Sequence, residues 1–508
     1  MTGLLLAEAR EHVSRLLLGA LYTEDVAGLG GKARFEGGVL HWPGGVTVPA
    51  VPVPAGALDV HGPARHGGEP VTDPVRLLEL LAGPHEGLAA ELADAVANLA
   101  VAAARRPVLK QDALAEALSL GPDDGALLLE RLATGGHNLH PCGRTRLGMS
   151  RDDVLRYDIE GPGFALLFAR IPRELHTGDD VGAAMGFAGD TRFAVQPVHP
   201  WQWDNVLCRA PGITLAEGLA VQAAPTGSLR TLLTSAGHLV KVSLDVQVTS
   251  TRRSVSLATA LNGPVVSEVL RELVAGTGGA LLAEYAGAGA RLAHGERDAT
   301  ALLREPLAAV VRPGELAVPG NALPAVCPVT GRTVLELLAA GQDRLEFFTA
   351  YATALLRPVT ALAAAGAGLE AHLQNCVPVF RDGRIVRMVF RDLGGVRLHL
   401  PRLAASGHPL ELYPGSVTGT TDIEVMRSKV SYTALVNHLG ALVGGLGLGP
   451  AGWAAAGQVL RACYTMLDGP EAAADLEAFT TRPWSHKALV TMRMTGSGDI
   501  YVPVENPL

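Results

Sequence analysis

Apolar residues recur at helical spacing from Met1 to Val26, and Glu8, Arg10, Glu11 and Arg15 fall between them. The pattern predicts an amphipathic opening helix and not a signal peptide. A Gly/Pro-rich run, Gly37–Pro74, follows, with a short strand expected over Val46–Val53. Helical periodicity returns over Pro74–Arg106, Gln111–Leu120 and Gly125–Ala133. Strict alternation then marks Leu239–Val248 as a strand. Val240, Val242, Leu244, Val246 and Val248 take one face, and Lys241, Ser243, Asp245 and Gln247 the other. The break Ser235-Ala-Gly237 predicts a hairpin that sets Lys241 opposite Arg230 or Thr231. A second hairpin is predicted at Asp382-Gly383, between the apolar runs Val377–Phe380 and Arg384–Phe390. The uncharged stretch Val430–Leu460 carries Gly444, Gly445, Gly447, Gly449, Pro450 and Gly452 in its middle. It reads as helix–turn–helix in a core and not as a membrane span.

A chain of 508 residues that is 48% hydrophobic and 18% charged can bury a large core divided among several packed parts. No repeat of fixed period and no low-complexity linker interrupts it. A net charge of −8 argues against a general nucleic-acid binder, yet leaves room for a local basic pocket. The five cysteines are scattered without CxxC spacing, so neither a zinc ribbon nor a disulfide framework is indicated, and a reducing cytoplasm is expected. Gly28-Leu-Gly-Gly-Lys32 lacks P-loop spacing. Gly445-Leu-Gly-Leu-Gly449 lacks the strand that a dinucleotide fingerprint needs. Both read as turns.

Three constellations carry chemistry. In Gly136–Gly148, His137, His140, Arg144 and Arg146 make a poor hydrophobic core. The arginines could grip anionic oxygens, or the segment could be a polar loop whose histidines satisfy backbone groups. Ser228, Arg230, Thr231, Lys241 and Arg253 form the second. Cations side by side on a sheet repel unless an anion such as a nucleotide triphosphate lies between them, or carboxylates such as Asp245 neutralise the face. Because Lys241 sits on the polar face, its truncation is expected to weaken nucleotide binding without opening a core cavity. The third is Glu370, His372, Gln374 and Asn375, brought toward Asp392 by the second hairpin. With Asp382 and Gly383 as the turn, Asp392 lies opposite Leu373. Asn375 and Asp392 then share a face, and Glu370, His372 and Gln374 take the other, so one composite site requires a twist or bulge. The Glu370, Asn375 and Asp392 oxygens suit magnesium. The alternative is a hairpin stalk with solvated ends. His199-Pro-Trp-Gln-Trp203 reads as structural.

Taken in order, these strings resemble the nonribosomal-peptide-synthetase-independent siderophore synthetases of the aerobactin-synthetase type. The resemblance also draws on Thr249-Ser250 before Arg253, on Asn262-Gly-Pro264, on Arg391-Asp392, and on Lys487-Ala, Met492-Arg493 and Asn506-Pro-Leu508. It implies an α+β fold shaped as a cupped hand: thumb 1–120, fingers 121–300 with an antiparallel sheet, and palm 301–508. It implies ATP-dependent adenylation of a carboxylate of citrate or a related acid, then condensation with an amine or alcohol, releasing AMP and pyrophosphate. By that resemblance Ser228, Arg230, Thr231 and Lys241 hold the nucleotide, and His137 and His140 close on its phosphates. Arg253 and His372, with Arg144 and Arg146, meet the acid. Glu370, Asn375 and Asp392, with Gln374 among them, serve nucleotide and Mg2+. A cytoplasmic homodimer is implied, with no nucleic-acid or membrane partner. The sequence departs from the pattern at Arg144, where lysine is common, and at Asn138, where proline is common.

Two other classes fit part of the pattern. One is an ADP-forming phosphotransferase. The other is a non-catalytic citrate or siderophore binder, which would be expected to have lost motif charges. Arg230, Lys241, Arg253, Glu370, His372 and Asp392 are all present.

Overall fold

Helix Gly3–Thr23 buries Val13, Leu17, Leu18 and Leu21, the stripe that its periodicity predicts. The computed structural model describes residues 3–248, 251–293 and 295–508, so Thr249 and Ser250 of the motif before Arg253 lie outside the described residues. Strand Val46–Val53 has the predicted bounds. The single helix expected over Pro74–Arg106 is two, Pro74–Ala82 and Glu86–Ala104. Gly83 ends the first at a φ of 83°, Pro84 cannot continue it, and the His85 ring accepts the Leu88 N–H to cap the second.

Among the described residues the three largest of five hydrophobic clusters organise the fold. The first joins the opening helix, the small N-terminal sheets and helix Glu86–Ala104, and takes in Val490 from near the C-terminus. The second lines an eight-stranded, wholly antiparallel sheet. Its spatial order is His176–Gly178, Glu284–Ala290, Thr300–Arg304, Leu239–Val242, Thr231–Thr234, Thr214–Pro225, Phe164–Pro172 and Phe193–Val198. The third is the largest and is built around helices Arg344–Ala365 and Gly449–Thr465. The fold is α+β. Helix Ala113–Leu120 buries Ala113 and Ala117 in the third core and not with the N-terminal unit. A cut at 300/301 would pass through strand Thr300–Arg304, which is interior to the large sheet.

Helices Glu86–Ala104 and Arg344–Ala365 are long and apolar enough to cross a membrane by length and composition alone, and at least half of each apolar window is buried inside the protein. The Val430–Leu460 stretch is helical: a π-helix Ser431–Leu439, a short helix Gly440–Gly445, a turn, and helix Gly449–Thr465.

Candidate active site

The predicted hairpin forms with Thr231 directly opposite Lys241. The alternation then misleads. The strand ends at Val242, and only Gln247–Val248 pairs again, with Thr251–Arg252. Hydrogen bonds from outside the strand cause the break. The Ser243 hydroxyl accepts the Val255 N–H at 2.8 Å, and Gln202 Oε1 takes the Asp245 N–H at 2.8 Å. The His199–Trp203 segment is therefore structural, with His199 Nδ1 capping helix Pro200–Asn205. Asp245 pairs with Arg252 at 2.6 Å and not with the cations of the sheet.

Asp392 faces Lys241 instead, at 2.6 Å from its Nζ, with Lys241 buried. Arg230 donates through Nη1 to the carbonyls of Arg253 (2.8 Å) and Ser254 (3.1 Å). Its buried Nε has no partner among the described residues. Burial, then the neighbouring Arg230 and Arg146 charges, bring the Arg253 pKa down to about 10. Crowded, desolvated cations of this kind are stabilised when an anion enters between them. The loop carrying Ser228 and Arg230 is held by buried Glu130. Glu130 accepts the Gly227 N–H at 2.6 Å and pairs with Arg391. Gln374 donates to the Gly227 carbonyl at 2.9 Å.

The second hairpin turns at Asp382 (φ 50°) and Gly383 (φ 73°), both left-handed as a type I′ turn requires. A register shift between Val379 and Phe380 puts Cys376 opposite Phe390. Leu373–Asn375 leaves the strand as a 3₁₀ turn. Bulge and turn together remove the two-face problem of the ideal register, so Glu370, His372, Asn375 and Asp392 line one cavity. Asp392 itself takes a φ of 64°, a strained conformation for a non-glycine residue. A Cβ at Gly395 would lie 1.9 Å from Glu370 Oε2, so only glycine admits that carboxylate. Burial would raise the Glu370 pKa, but the Lys429 charge at 2.9 Å and His372 hold it down to about 2. The π-helix pins the strip from behind. Thr433 Oγ1 accepts the Ala371 N–H, Asn437 Oδ1 the Leu373 N–H, and His438 Nδ1 lies 3.0 Å from the Ala371 carbonyl oxygen.

In the first constellation, the loop Gly136–Gly148, both readings describe part of the loop. His137 Nδ1 accepts the Leu139 N–H and His140 Nδ1 the Cys142 N–H, which leaves each Nε2 to carry the ring proton. Burial, with nearby Arg493 and Arg253, lowers the His140 pKa to about 3. His137 is lowered by burial and by His140. Both rings are neutral donors. Arg144 and Arg146 do not offer free charges to an acid, contrary to expectation. Arg144 donates to both Glu160 oxygens at 2.8 Å, and Arg146 pairs with Asp158 at 2.9 Å. Asn138, where proline is common in the pattern, bonds the π-helix: Asn437 Nδ2 donates to its Oδ1 at 2.8 Å. This ties the histidine loop to the Glu370–His372 strip.

His137, His140, Arg144, Arg146, Ser228, Arg230, Lys241, Arg253, Glu370, His372, Gln374, Asn375 and Asp392 all line one cavity of about 680 Å³. Thr231 does not. It is buried at the foot of Lys241, its cross-strand partner. Sequence reasoning missed Lys429, Asp499, Arg397 and Asn437, and gave Lys487 no role; all five are on the cavity wall. One signal was available for the lysines. Of 42 basic residues only Lys32, Lys110, Lys241, Lys429 and Lys487 are lysine, and the last three meet in this cavity. In an arginine-rich chain, lysine persists where a compact point charge is wanted.

The buried histidines are expected to make the protein acid-labile. Burial lowers His12, His438 and His486 to about 4 and His140 and His199 to about 3. All are neutral in the fold, whereas the unfolded chain takes up protons below about 6.5. Stability is therefore fully present above that pH and is lost as pH falls toward 4 and 3. Melting temperature should drop steeply over this window. A flat profile between pH 6.5 and 4 would contradict the burial of these rings.

Residues 126–325 match the IucA / IucC family model, and residues 345–501 match that of the ferric iron reductase FhuF-like transporter. The chain is 28% identical over 385 residues to the rhizobactin siderophore biosynthesis protein RhbC of Rhizobium meliloti (strain 1021), covering 64% of each protein. It is 25% identical over 380 residues to a D-ornithine–citrate ligase of Staphylococcus aureus, covering 63% of this chain and 58% of that one. The matched stretches thus span less than two thirds of these relatives. Its fold is similar to the petrobactin biosynthesis protein AsbB of Bacillus anthracis, with TM-score 0.84, 17% identity and coverage of 99% and 96%. It is also similar to ATP-bound aerobactin synthetase IucA of Klebsiella pneumoniae, with TM-score 0.77, 19% identity and coverage of 98% and 99%.

Proposed function

We propose that this chain, whose residues 126–325 match the IucA / IucC family model, is an ATP-dependent, AMP-forming ligase of siderophore biosynthesis. It would activate a carboxylate of citrate or a related acid and join it to an amine or alcohol. The observation that carries the reading is the single cavity in which half-buried Arg230 and Arg253 and buried Lys241 face Glu370, Asn375 and Asp392.

A carboxylate is a poor electrophile because its leaving group would be oxide. Its attack on the α-phosphorus of ATP forms the acyl–phosphate bond, breaks the α–β bridge and expels pyrophosphate. The amine or alcohol then adds to the acyl carbon, loses its proton, and AMP departs. Arg230, Lys241 and Arg253 would balance charge gathering at the α-phosphate, and Arg230 Nε is a donor still to be satisfied. His137 and His140, neutral and Nε2-protonated, would donate to phosphate oxygens. Arg253 and His372 would hold the acid. The donor set suits magnesium. Glu370 gives Oε1 to Lys429 and accepts a long 3.4 Å bond from the Asn375 amide on Oε2, Asp392 gives Oδ1 to Lys241, and the amide oxygen of Asn375 adds a third hard donor. Among the described residues no three His, Cys, Asp or Glu side chains form a metal cluster by themselves. Glu370, Asn375 and Asp392 would therefore hold a magnesium ion whose remaining shell is phosphate and water, and the ion would neutralise phosphate charge. The cytoplasmic homodimer implied by the resemblance belongs to this proposal.

The test is a screen of polycarboxylic acids against amines and amino alcohols with ATP and magnesium. The expected products are AMP and pyrophosphate in equal amounts. ADP and phosphate as the main products would replace this reading with the phosphotransferase.

A further inference from the structure

The π-helix Ser431–Leu439 sets three polar side chains against one backbone strip. Bonding from i to i+5 brings positions 433 and 438 to one face, which an α-helix would not do. Thr433 takes the Ala371 N–H, His438 lies against the Ala371 carbonyl, and Asn437 Oδ1 accepts the Leu373 N–H at 3.4 Å. His372 lies between these anchors. Asn437 is buried, and the other end of its amide points away from the strip. Its Nδ2 donates to Asn138 Oδ1 at 2.8 Å, and Asn138 Nδ2 reaches back to the Asn437 carbonyl at 3.5 Å.

The bridge therefore runs from the residue after His137 to the residue after His372. The centroids of those two rings are 6.5 Å apart, and His140 stands 6.2 Å from His137. The far end of the histidine loop belongs to another part of the fold. Asn98 and Asp94 of helix Glu86–Ala104 hold the Arg144 carbonyl and the Arg146 N–H. Leu139 packs against the third core, so the seating of the loop does not depend on Asn138. What Asn138 adds is a directional bond, which fixes distance and angle where an apolar contact does not. Proline, common at this position in the pattern, has no side-chain donor or acceptor. The bond is thus a property of this chain and not of the motif.

We infer that the Asn138–Asn437 bridge couples nucleotide binding to acid binding. Phosphate oxygens that draw in His137 and His140 fix the strip through the bridge, with His372 in place for a carboxylate. Asn138 and Asn437 are positioning residues. The inference rests on the ligase reading above and concerns how its two substrates act on one another. Such coupling is reciprocal, so the acid also sets the histidine loop for the nucleotide. Each substrate alone is held less tightly, which favours the ternary complex that reacts.

Citrate is the probe, titrated by calorimetry into full-length protein with magnesium. One titration is made without nucleotide and one with saturating α,β-methylene ATP, which cannot be cleaved between its α- and β-phosphates. The quantity read is the ratio of the two citrate affinities. In the wild type the analogue should tighten citrate by at least about fivefold, the lower end of common coupling between sites. Asn138→Ala should bring that ratio close to one, with melting temperature and affinity for citrate alone at their wild-type values. Asn138→Asp keeps an acceptor for Asn437 Nδ2 and should keep the ratio, although its charge weakens the nucleotide. A wild-type ratio in Asn138→Ala would overturn the inference. So would wild-type protein whose citrate binding ignores the analogue or is absent. A ratio lost in both variants would assign the effect to the loop and not to the bond, and would overturn it too. In each of these cases AMP formation in the substrate screen would leave the ligase reading intact. Loss in Asn138→Ala and retention in Asn138→Asp, with no AMP from any acid, would keep the coupling and remove that reading.

Discussion

Lys241→Met should lower turnover by about two to three orders of magnitude, the loss typical when one preorganised charge donor to a reacting centre is removed. It should destabilise the fold at the same time. The strand pattern alone predicts a benign truncation on a polar face. The structure revises this, because Lys241 is buried and its ammonium lies 2.6 Å from Asp392. Buried Glu284 is near both: burial raises its pKa, Lys241 lowers it, and Asp392 raises it again. Without Lys241, buried Glu284 and the partly exposed Asp392 keep only more distant cations such as Arg304, and losing one partner of a buried pair costs up to about 3–5 kcal/mol. Lys241→Met with Asp392→Asn should recover most of the lost melting temperature and none of the turnover. Melting curves and kcat/KM for ATP separate the two effects. Wild-type kcat/KM in the single variant would remove Lys241 from the nucleotide site.

Arg253→Met should behave in the opposite way with respect to stability. Burial and the adjacent Arg230 charge press its pKa down to about 10, so its charge is a cost to the folded protein. The variant is expected to melt at or above the wild-type temperature. Acid-dependent pyrophosphate release should nonetheless fall roughly ten- to a hundred-fold, the loss expected for one charge-assisted hydrogen bond. ATP affinity by calorimetry should stay within a few-fold, because Arg230 and Lys241 remain. His372→Ala should show the same split. Wild-type release from both variants would take the acid out of this corner of the cavity.

Local pattern was enough for several elements. The short apolar run Val46–Val53 was legible as a strand, and Asp382-Gly383 announced a hairpin, because local side-chain pattern and turn chemistry are properties of neighbouring residues. The Lys241–Thr231 register followed from the same short-range logic. The motif residues were recognised by type and order, and thirteen of the fourteen named share the cavity.

What the sequence did not carry was partnership across distance. The clean alternation of Leu239–Val248 was defeated by Gln202, some forty residues away in the chain. The charges of Arg144 and Arg146, which by type alone suit an anionic substrate, are taken up by Glu160 and Asp158. Lys429 had no motif to mark it, yet it sets the ionisation of Glu370. Glu130 stood in an ordinary helix and proves to hold the Gly227 loop and Arg391 together. Whether a charge is spent or available depends on which opposite charge the fold brings within about 4 Å and on how much water it removes from both. Both quantities belong to the packed tertiary structure, whereas the periodicities that placed the strands and helices belong to the chain itself.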